Sequence, residues 1–462
     1  MTRIHLIGIG GTGISAIARV LLEMGYTVSG SDRAESPYTR DLRTLGILIT
    51  IGHHPQNVVG ADLVVRSSAI PDDNPEVTAA RAAHIPVFKR ADFLGSLMDG
   101  KIGVAVAGTH GKTTTTAMIA WMLSALDKDP SFIVGSVIPD LGVNARAGKG
   151  NIFVIEADEY DRMFLGLKPT IEIVTNIEYD HPDCYPKPAD FQAAFVEFMY
   201  HLQPGGTLVA CAEDEGALEL VRKANKLNKK VITYGLQSVL EDDTRLDVFT
   251  SKLEPNAKGG FTFSASVLGE PVAVELQVPG KHNVYNALAA LTVAKLFDLQ
   301  LSASAIALGQ FTGAGRRFEV RGEENRIIVI DDYAHHPTEI RATLSAARAR
   351  YPSHRIWAVW QPHTYTRTLA LFSDFTAAFS DADEVIVTEV FPAREPKQDF
   401  SSKQVADAMP KPAHFIADLT DVQNYLVSHL RPGDVLLVLS AGDANLVSTH
   451  VLEQLKEAHD GR

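Results

Sequence analysis

The sequence predicts an α/β protein built on several parallel sheets. Apolar runs of four to seven residues recur at 4–9, around Val28, and at 63–65, 102–107, 153–155, 171–175, 207–211, 327–330, 356–360, 384–388 and 435–439. They lack strict alternation, as strands buried on both faces do. Each is followed by a glycine-bearing turn and a longer helical pattern, the signature of βαβ units. The length supplies the third observation: 462 residues, 45% hydrophobic and 21% charged, exceed one core and suit three units of roughly 100–200 residues. Polar or glycine-rich joints at Met98-Asp-Gly-Lys101 and Phe311-Thr-Gly-Ala-Gly315 divide the chain into residues 1–98, 99–313 and 314–462. Residues 242–277 differ, with an alternating Phe261-Thr-Phe-Ser-Ala-Ser-Val267 that predicts an antiparallel hairpin on one side of the middle sheet.

Forty-three basic against fifty-six acidic residues give a formal net charge of −13. Such a surface repels nucleic-acid phosphate and anionic lipid, so an anionic small ligand must be held by local backbone NH groups, metal or placed arginines. No apolar stretch reaches the ~20 residues that span a bilayer, and the first residues read as a strand entering a turn rather than a secretory leader. Two cysteines, Cys184 and Cys211, are too few for a disulfide framework. A soluble cytoplasmic protein is expected, without nucleic acid or membrane as partner.

The first strand runs into Gly8-Ile-Gly-Gly-Thr-Gly13-Ile-Ser15, a G-x-G-x-x-G pattern that opens a helix. Glycines there allow a tight turn and close approach of a diphosphate to the helix N-terminus; the plain alternative is close helix–strand packing. Asp32, nineteen residues beyond Gly13, could hold a ribose hydroxyl, and taken alone the pair suggests NAD.

The second cluster, Gly108-Thr-His-Gly-Lys-Thr-Thr-Thr-Thr116, follows a buried strand and opens an apolar helix. It departs from the usual phosphate-loop spacing, with Val106 where the first glycine would stand and Gly108 instead. The loop can still wrap phosphate oxygens, with Lys112 between β and γ phosphates and the Thr113 hydroxyl on Mg²⁺. The next strand ends in Glu156-Ala-Asp-Glu-Tyr-Asp161. Glu156 is the expected magnesium ligand, while Asp158, Glu159 and Asp161 read as further carboxylates or as solvated loop charges. The strand after it ends in Asn176-Ile-Glu-Tyr-Asp-His181, which makes His181 a second metal ligand. A zinc reading of His181 with Cys184 has no second pair at zinc spacing. A hydride-transfer enzyme has no need of Lys112, Thr113 and Glu156; an ATP site remains, in an enzyme or in a nucleotide-hydrolysing switch.

Farther on, Gly280-Lys-His-Asn283-Val-Tyr-Asn286 opens a helix with an imidazole and two amides that suit a purine, or cap the helix. Gly313-Ala-Gly-Arg-Arg317 lies at the second joint, where a hinge could carry an arginine onto phosphate. Asp331-Asp-Tyr-Ala-His-His336 and Gln361-Pro-His-Thr-Tyr-Thr-Arg367 both follow apolar strands.

These segments, with Ser67-Ser-Ala-Ile-Pro71 and Arg316-Arg317-Phe318-Glu319, resemble the Mur ligases over nearly the whole chain and in order. The resemblance implies a Rossmann-like N-terminal domain for a UDP-sugar, a central P-loop ATPase domain, and a C-terminal Rossmann-like domain that closes on ATP and carries the amino-acid site. It turns the first glycine cluster from NAD to a sugar diphosphate. Within the family the motifs fall nearest the members that join L-alanine to UDP-N-acetylmuramate with ATP and Mg²⁺, in cytoplasmic peptidoglycan precursor synthesis, as a monomer or homodimer. Lys112, Glu156, His181 and Arg317 would then serve catalysis, and Thr113, Glu156 and His181 the metal. Gly108, Thr109, His110, Gly111, Lys112, Thr113, Thr114, His282, Asn283, Asn286, Arg317 and Asp332 would hold ATP. Gly10, Gly11, Thr12, Gly13, Ile14, Ser15, Asp32, Ser67, Ser68, His335 and Arg367 would serve the other substrates. Thr364 stands where the family usually has an arginine, leaving Arg367 alone, and Tyr160 replaces a common serine. Members that attach a whole tripeptide are therefore the alternative, although Phe391-Pro-Ala-Arg-Glu-Pro396 is closer to the alanine-adding group.

Overall fold

A computed structural model of the chain describes residues 2–241 and 243–460. Its strands form three sheets. The first holds β1 (Arg3–Ile7), β2 (Thr27–Asp32), β3 (Leu48–Ile51), β4 (Leu63–Arg66) and β5 (Val87–Lys89) in the order β3-β2-β1-β4-β5, all parallel. The order reverses between β1 and β4, so the glycine loop after β1 and the Ser67-Ser68 turn after β4 border one crevice, where open α/β sheets bind ligands.

The second sheet holds β6 (Ile102–Ala107), β7 (Ser131–Ile138), β8 (Val143–Arg146), β9 (Ile152–Glu156), β10 (Ile171–Val174), β11 (Thr207–Cys211), β12 (Lys230–Tyr234), β13 (Val248–Pro255), β14 (Phe261–Val267) and β15 (Glu270–Glu275). Their order is β15-β14-β13-β12-β11-β10-β6-β9-β7-β8. Its centre is parallel; β13, β14 and β15 form an antiparallel meander at one edge, one strand more than the expected hairpin. β6 lies between β10 and β9, so the loops leaving these three strands converge at one sheet edge. The third sheet, β16 (Glu319–Glu324), β17 (Ile327–Asp332), β18 (Arg355–Gln361), β19 (Glu384–Val387), β20 (His414–Phe415) and β21 (Asp434–Ser440), runs β16-β17-β21-β18-β19-β20.

The first two sheets share a core. Helix Thr12–Glu23 turns Ile14, Ile17 and Leu21 into the same apolar cluster as Ile133, Ala145 and Phe164 of the middle unit, and Phe93 and Leu94 join it. The carboxylate of Glu23 accepts Ala147 N–H at 2.7 Å across that junction. The third sheet keeps separate clusters on its two faces and meets the rest mainly through polar groups. Among the described residues no helix is long and apolar enough to cross a membrane.

Candidate active site

The loop between β6 and helix Lys112–Ala125 is built from its neighbours. Asn176, leaving β10, accepts Thr109 N–H on its carbonyl at 3.0 Å and His110 N–H on its side-chain oxygen at 2.8 Å. The Thr109 hydroxyl donates to Glu178 O at 2.7 Å. Gly111 has φ +81°, and a Cβ there would stand 2.9 Å from Asn286 Oδ1, so both backbone and space require glycine. The turn leaves the N-terminus of a helix open as an anion cradle.

Lys112 folds back over this cradle, its ammonium donating to Gly108 O at 2.5 Å, Thr109 O at 3.0 Å and Glu159 Oε1 at 2.9 Å. Burial opposes its charge, but Glu159 and Asp158 outweigh burial and raise its pKa. Glu159 is thus not a solvated loop charge: it is 1% exposed and pairs with Lys112, with His181 Nε2 3.7 Å away. The Thr113 hydroxyl donates to Glu156 Oε1 at 2.8 Å, and Glu156 Oε2 accepts Gly135 N–H at 2.6 Å. Burial pushes both Glu156 and Asp158 upward, and Glu159 Oε2 has no hydrogen-bond partner. Crowded, partly unsatisfied carboxylate oxygens beside a threonine hydroxyl form a hard-oxygen donor set of the kind magnesium prefers.

His181, with φ +58°, lies 3.7 Å from Asp180 Oδ2. Asp180 is held by Arg367 of the third sheet's unit, whose Nε donates to Oδ1 at 2.8 Å and Nη2 to Oδ2 at 3.3 Å. Both side chains are 5% exposed, and although burial works against its charge, Arg367 keeps Asp180 well below the usual carboxylate range. Arg317 approaches from the same unit, with Nη2 3.4 Å from Thr113 Oγ1 and its guanidinium over the Tyr333 ring. A cleft of about 720 Å³ opens beside these groups, lined among others by Thr113, Tyr234, His282, Tyr285, Arg317 and Asp332.

Several expected ligand contacts are engaged within the protein. Asn286 Nδ2 donates to Asn283 Oδ1 at 3.0 Å, Asn283 Nδ2 to Pro279 O at 2.7 Å, and Thr115 Oγ1 to Asn286 Oδ1 at 3.0 Å. The amides therefore brace the phosphate loop while their helix forms a cleft wall. Asp332 accepts Phe318 N–H and Ala334 N–H, each at 2.7 Å, tying the hinge to β17; burial pushes its pKa to about 6. Asp32 likewise accepts Gly10 N–H at 2.8 Å, bracing the first glycine loop. Ser67 lies against Gly8 of that loop, and Ser68 is exposed. Thr114 is buried in the first turn of its helix.

His110 points away from the cradle. Its Nε2 lies 2.9 Å from Glu178 Oε2 and its Nδ1 3.2 Å from Glu339 Oε1, across the boundary between the middle and third units. Burial disfavours its charge, yet the two carboxylates raise its pKa to about 9. His110, Glu178 and His336 come within 4.8 Å of one another, but a protonated imidazole between carboxylates is an ion pair rather than a cation site. His336 accepts Thr338 N–H as the N-cap of helix Pro337–Arg350, with Glu339 completing a capping box. His335 is held by Tyr333 O at 2.9 Å and faces Glu339 at 3.3 Å; burial lowers its pKa to about 4.

Three parallel-sheet units with a phosphate loop at the middle sheet's edge, and cations reaching it from the third, define a class of nucleotide-using α/β enzymes. The chain belongs to the Mur ligase family. The model described as "Mur ligase family, catalytic domain" matches residues 3–102, "Mur ligase middle domain" residues 106–294, and "Mur ligase, glutamate ligase domain" residues 316–442. The chain is 43% identical to a UDP-N-acetylmuramate–L-alanine ligase of Geobacter sp. (strain M21), over 99% of this chain and 98% of that one. It is also 43% identical to the Bordetella petrii protein of the same name, over 96% and 97%. The crystal structure of the UDP-N-acetylmuramate–alanine ligase from Thermotoga maritima matches with TM-score 0.83 and 30% identity, over 99% of this chain and 100% of that one. A murein peptide ligase from Psychrobacter arcticus matches with TM-score 0.72 and 25% identity, over 98% and 99%.

Proposed function

We propose that this chain is an ATP-dependent ligase that joins L-alanine to the lactyl carboxylate of UDP-N-acetylmuramate, in cytoplasmic peptidoglycan precursor synthesis. The observation that carries the reading is the convergence of Lys112, Thr113, Glu156 and Glu159 with Arg317 and Arg367 of the third unit, in a chain matching alanine-adding ligases from end to end. The domains divide as residues 1–98 for the UDP-sugar, 99–313 for ATP and 314–462 for closure and the amino acid.

In this reading the sugar's carboxylate attacks the γ-phosphate of ATP, giving an acyl phosphate and ADP. The amine of L-alanine then attacks the acyl carbon, and the tetrahedral intermediate expels phosphate to leave the amide. Two anions must meet in the first step, so positive charge at the phosphoryl group is the main requirement. Lys112 supplies it from the middle unit and Arg317 from the third. Glu159 keeps Lys112 protonated and aimed into the cradle. Thr113 and Glu156, with His181 beside Glu159, would hold magnesium, which when bound neutralises charge on the phosphates. Arg367, fixed by Asp180, faces the region where the amino acid's carboxylate would lie.

A purified-protein assay offering L-Ala, L-Ser, Gly and the murein tripeptide tests the reading. Phosphate release coupled to UDP-N-acetylmuramoyl-L-alanine is expected. Preference for the tripeptide, which Thr364 in place of the family's arginine would favour, assigns the murein-recycling activity instead. Vigorous ATP hydrolysis with neither substrate present supports a switch protein.

A further inference from the structure

Arg90 opens the short helix Arg90–Leu94 directly after β5, beside the crevice of the first sheet, and its environment is incomplete. Its guanidinium offers five N–H donors, and its side chain is 19% exposed. Nε and Nη2 both donate to Met163 Sδ, the former at 2.6 Å. A thioether is a weak acceptor. The nearest paired carboxylate oxygen, Asp158 Oδ2, lies 3.8 Å away, beyond hydrogen-bond distance. Burial accordingly lowers the pKa of Arg90.

The location is as unusual as the partners. A Cβ built on Gly13 would fall on Arg90 Nη1, so the guanidinium lies flat on the first turn of helix Thr12–Glu23. That is the positive end of the helix dipole, where a cation is disfavoured and an anion favoured. An anion seated between the helix N-terminus and Arg90 would satisfy both, and the planar guanidinium fork matches phosphate oxygens. Gly13 is then required so that no side chain displaces the arginine, which close helix–strand packing does not explain.

We propose that Arg90 binds the diphosphate of the UDP-sugar from the side opposite the glycine-loop NH groups, held in place by Met163 of the middle unit. The proposal rests on the UDP-sugar reading above. Because Met163 and Asp158 belong to the acidic segment after β9, Arg90 also fastens the sugar-nucleotide crevice to the segment carrying Glu156 and Glu159.

Binding constants of wild type, Arg90→Met and Arg90→Lys for UDP-N-acetylmuramate, UDP, uridine and ATP test it. Arg90→Met is expected to weaken UDP-N-acetylmuramate and UDP on the order of 10–100-fold, the worth of one or two charge-assisted hydrogen bonds. Uridine and ATP should bind as in wild type, and Arg90→Lys should recover part of the loss. Unchanged UDP-N-acetylmuramate binding in Arg90→Met overturns the proposal, as does a parallel loss of uridine and ATP, which marks a structural role. Failure of the wild type itself to bind UDP-N-acetylmuramate while binding ATP sinks the functional reading instead.

Discussion

Lys112 and Glu156 divide the chemistry from the binding of the sugar nucleotide. Both lie at the end of the middle sheet, so Lys112→Ala and Glu156→Ala should each reduce kcat by at least the order of 10²–10³-fold typical of one lost charge-stabilising donor. UDP-N-acetylmuramate affinity, measured by calorimetry, should remain within a few-fold of wild type; its loss would contradict the division. His110 makes a pH prediction. With its pKa raised to about 9 from 6.5, its bridge contributes fully below pH 6.5 and fades as pH rises through about 9. Glu178, lowered to about 2 from 4.5, contributes above pH 4.5 and fails as pH falls toward 2. The third unit should stay docked between about pH 5 and 8 and loosen near 9, read by a fluorescence-distance pair across the cleft. His110→Gln should remove the alkaline step; an unchanged step would assign it elsewhere. The residue types at the phosphate loop were legible because their spacing is local. Glu159 was not, since its burial depends on the turn at Asp161 and Arg162, both with positive φ. Nor was His110, whose partner Glu339 stands 229 residues away. The cap at His336 did have a local signal, Pro337 followed by Glu339 at capping-box spacing.

Helix Thr12–Glu23 joins two sheets that the sequence reads as separate domains. Its inner residues Ile14, Ile17 and Leu21 are at most 1% exposed because they are covered from both sides. Ile17→Ala should cost ~2–5 kcal/mol, the usual range for a buried isoleucine, and destabilise the first and middle units together in denaturant. Loss of the first unit alone would show that the shared core is not cooperative. The central strands were legible from their apolar runs, but β3, β5 and β20 were not. They have two to four residues with exposed members such as Leu48, Phe88 and His414, too short and mixed for periodicity to register. The meander of β13, β14 and β15 was half legible: β14 alternates cleanly, but β13 breaks register between Ser251 and Glu254.

At the scale of the molecule, an apolar junction binds the first two units, and ion pairs dock the third. His110–Glu339 and Arg367–Asp180 cross that second boundary, with Thr338 donating to Glu178 at 2.8 Å. Such contacts weaken when their charges change, and inter-unit motion is the ordinary expectation for a polar interface. The tryptophans allow this to be seen: Trp357 and Trp360 are on β18, Trp121 in helix Lys112–Ala125. In a Trp121→Phe variant, tryptophan fluorescence should report a third-unit transition separable from the far-ultraviolet dichroism change of the rest. Coincident transitions would mean the interface is stronger than its ion pairs suggest. The net charge of −13 is compatible with two anionic substrates because Lys112, Arg317, Arg367 and the loop NH groups concentrate positive potential where they are needed. The most direct measurement is the amide product itself: wild-type protein incubated with ATP, Mg²⁺, UDP-N-acetylmuramate and L-alanine, followed by mass spectrometry and ADP quantification. One UDP-N-acetylmuramoyl-L-alanine per ADP is expected, with no turnover when either acceptor is withheld; ADP formation without that product, or product only with the tripeptide, would contradict it.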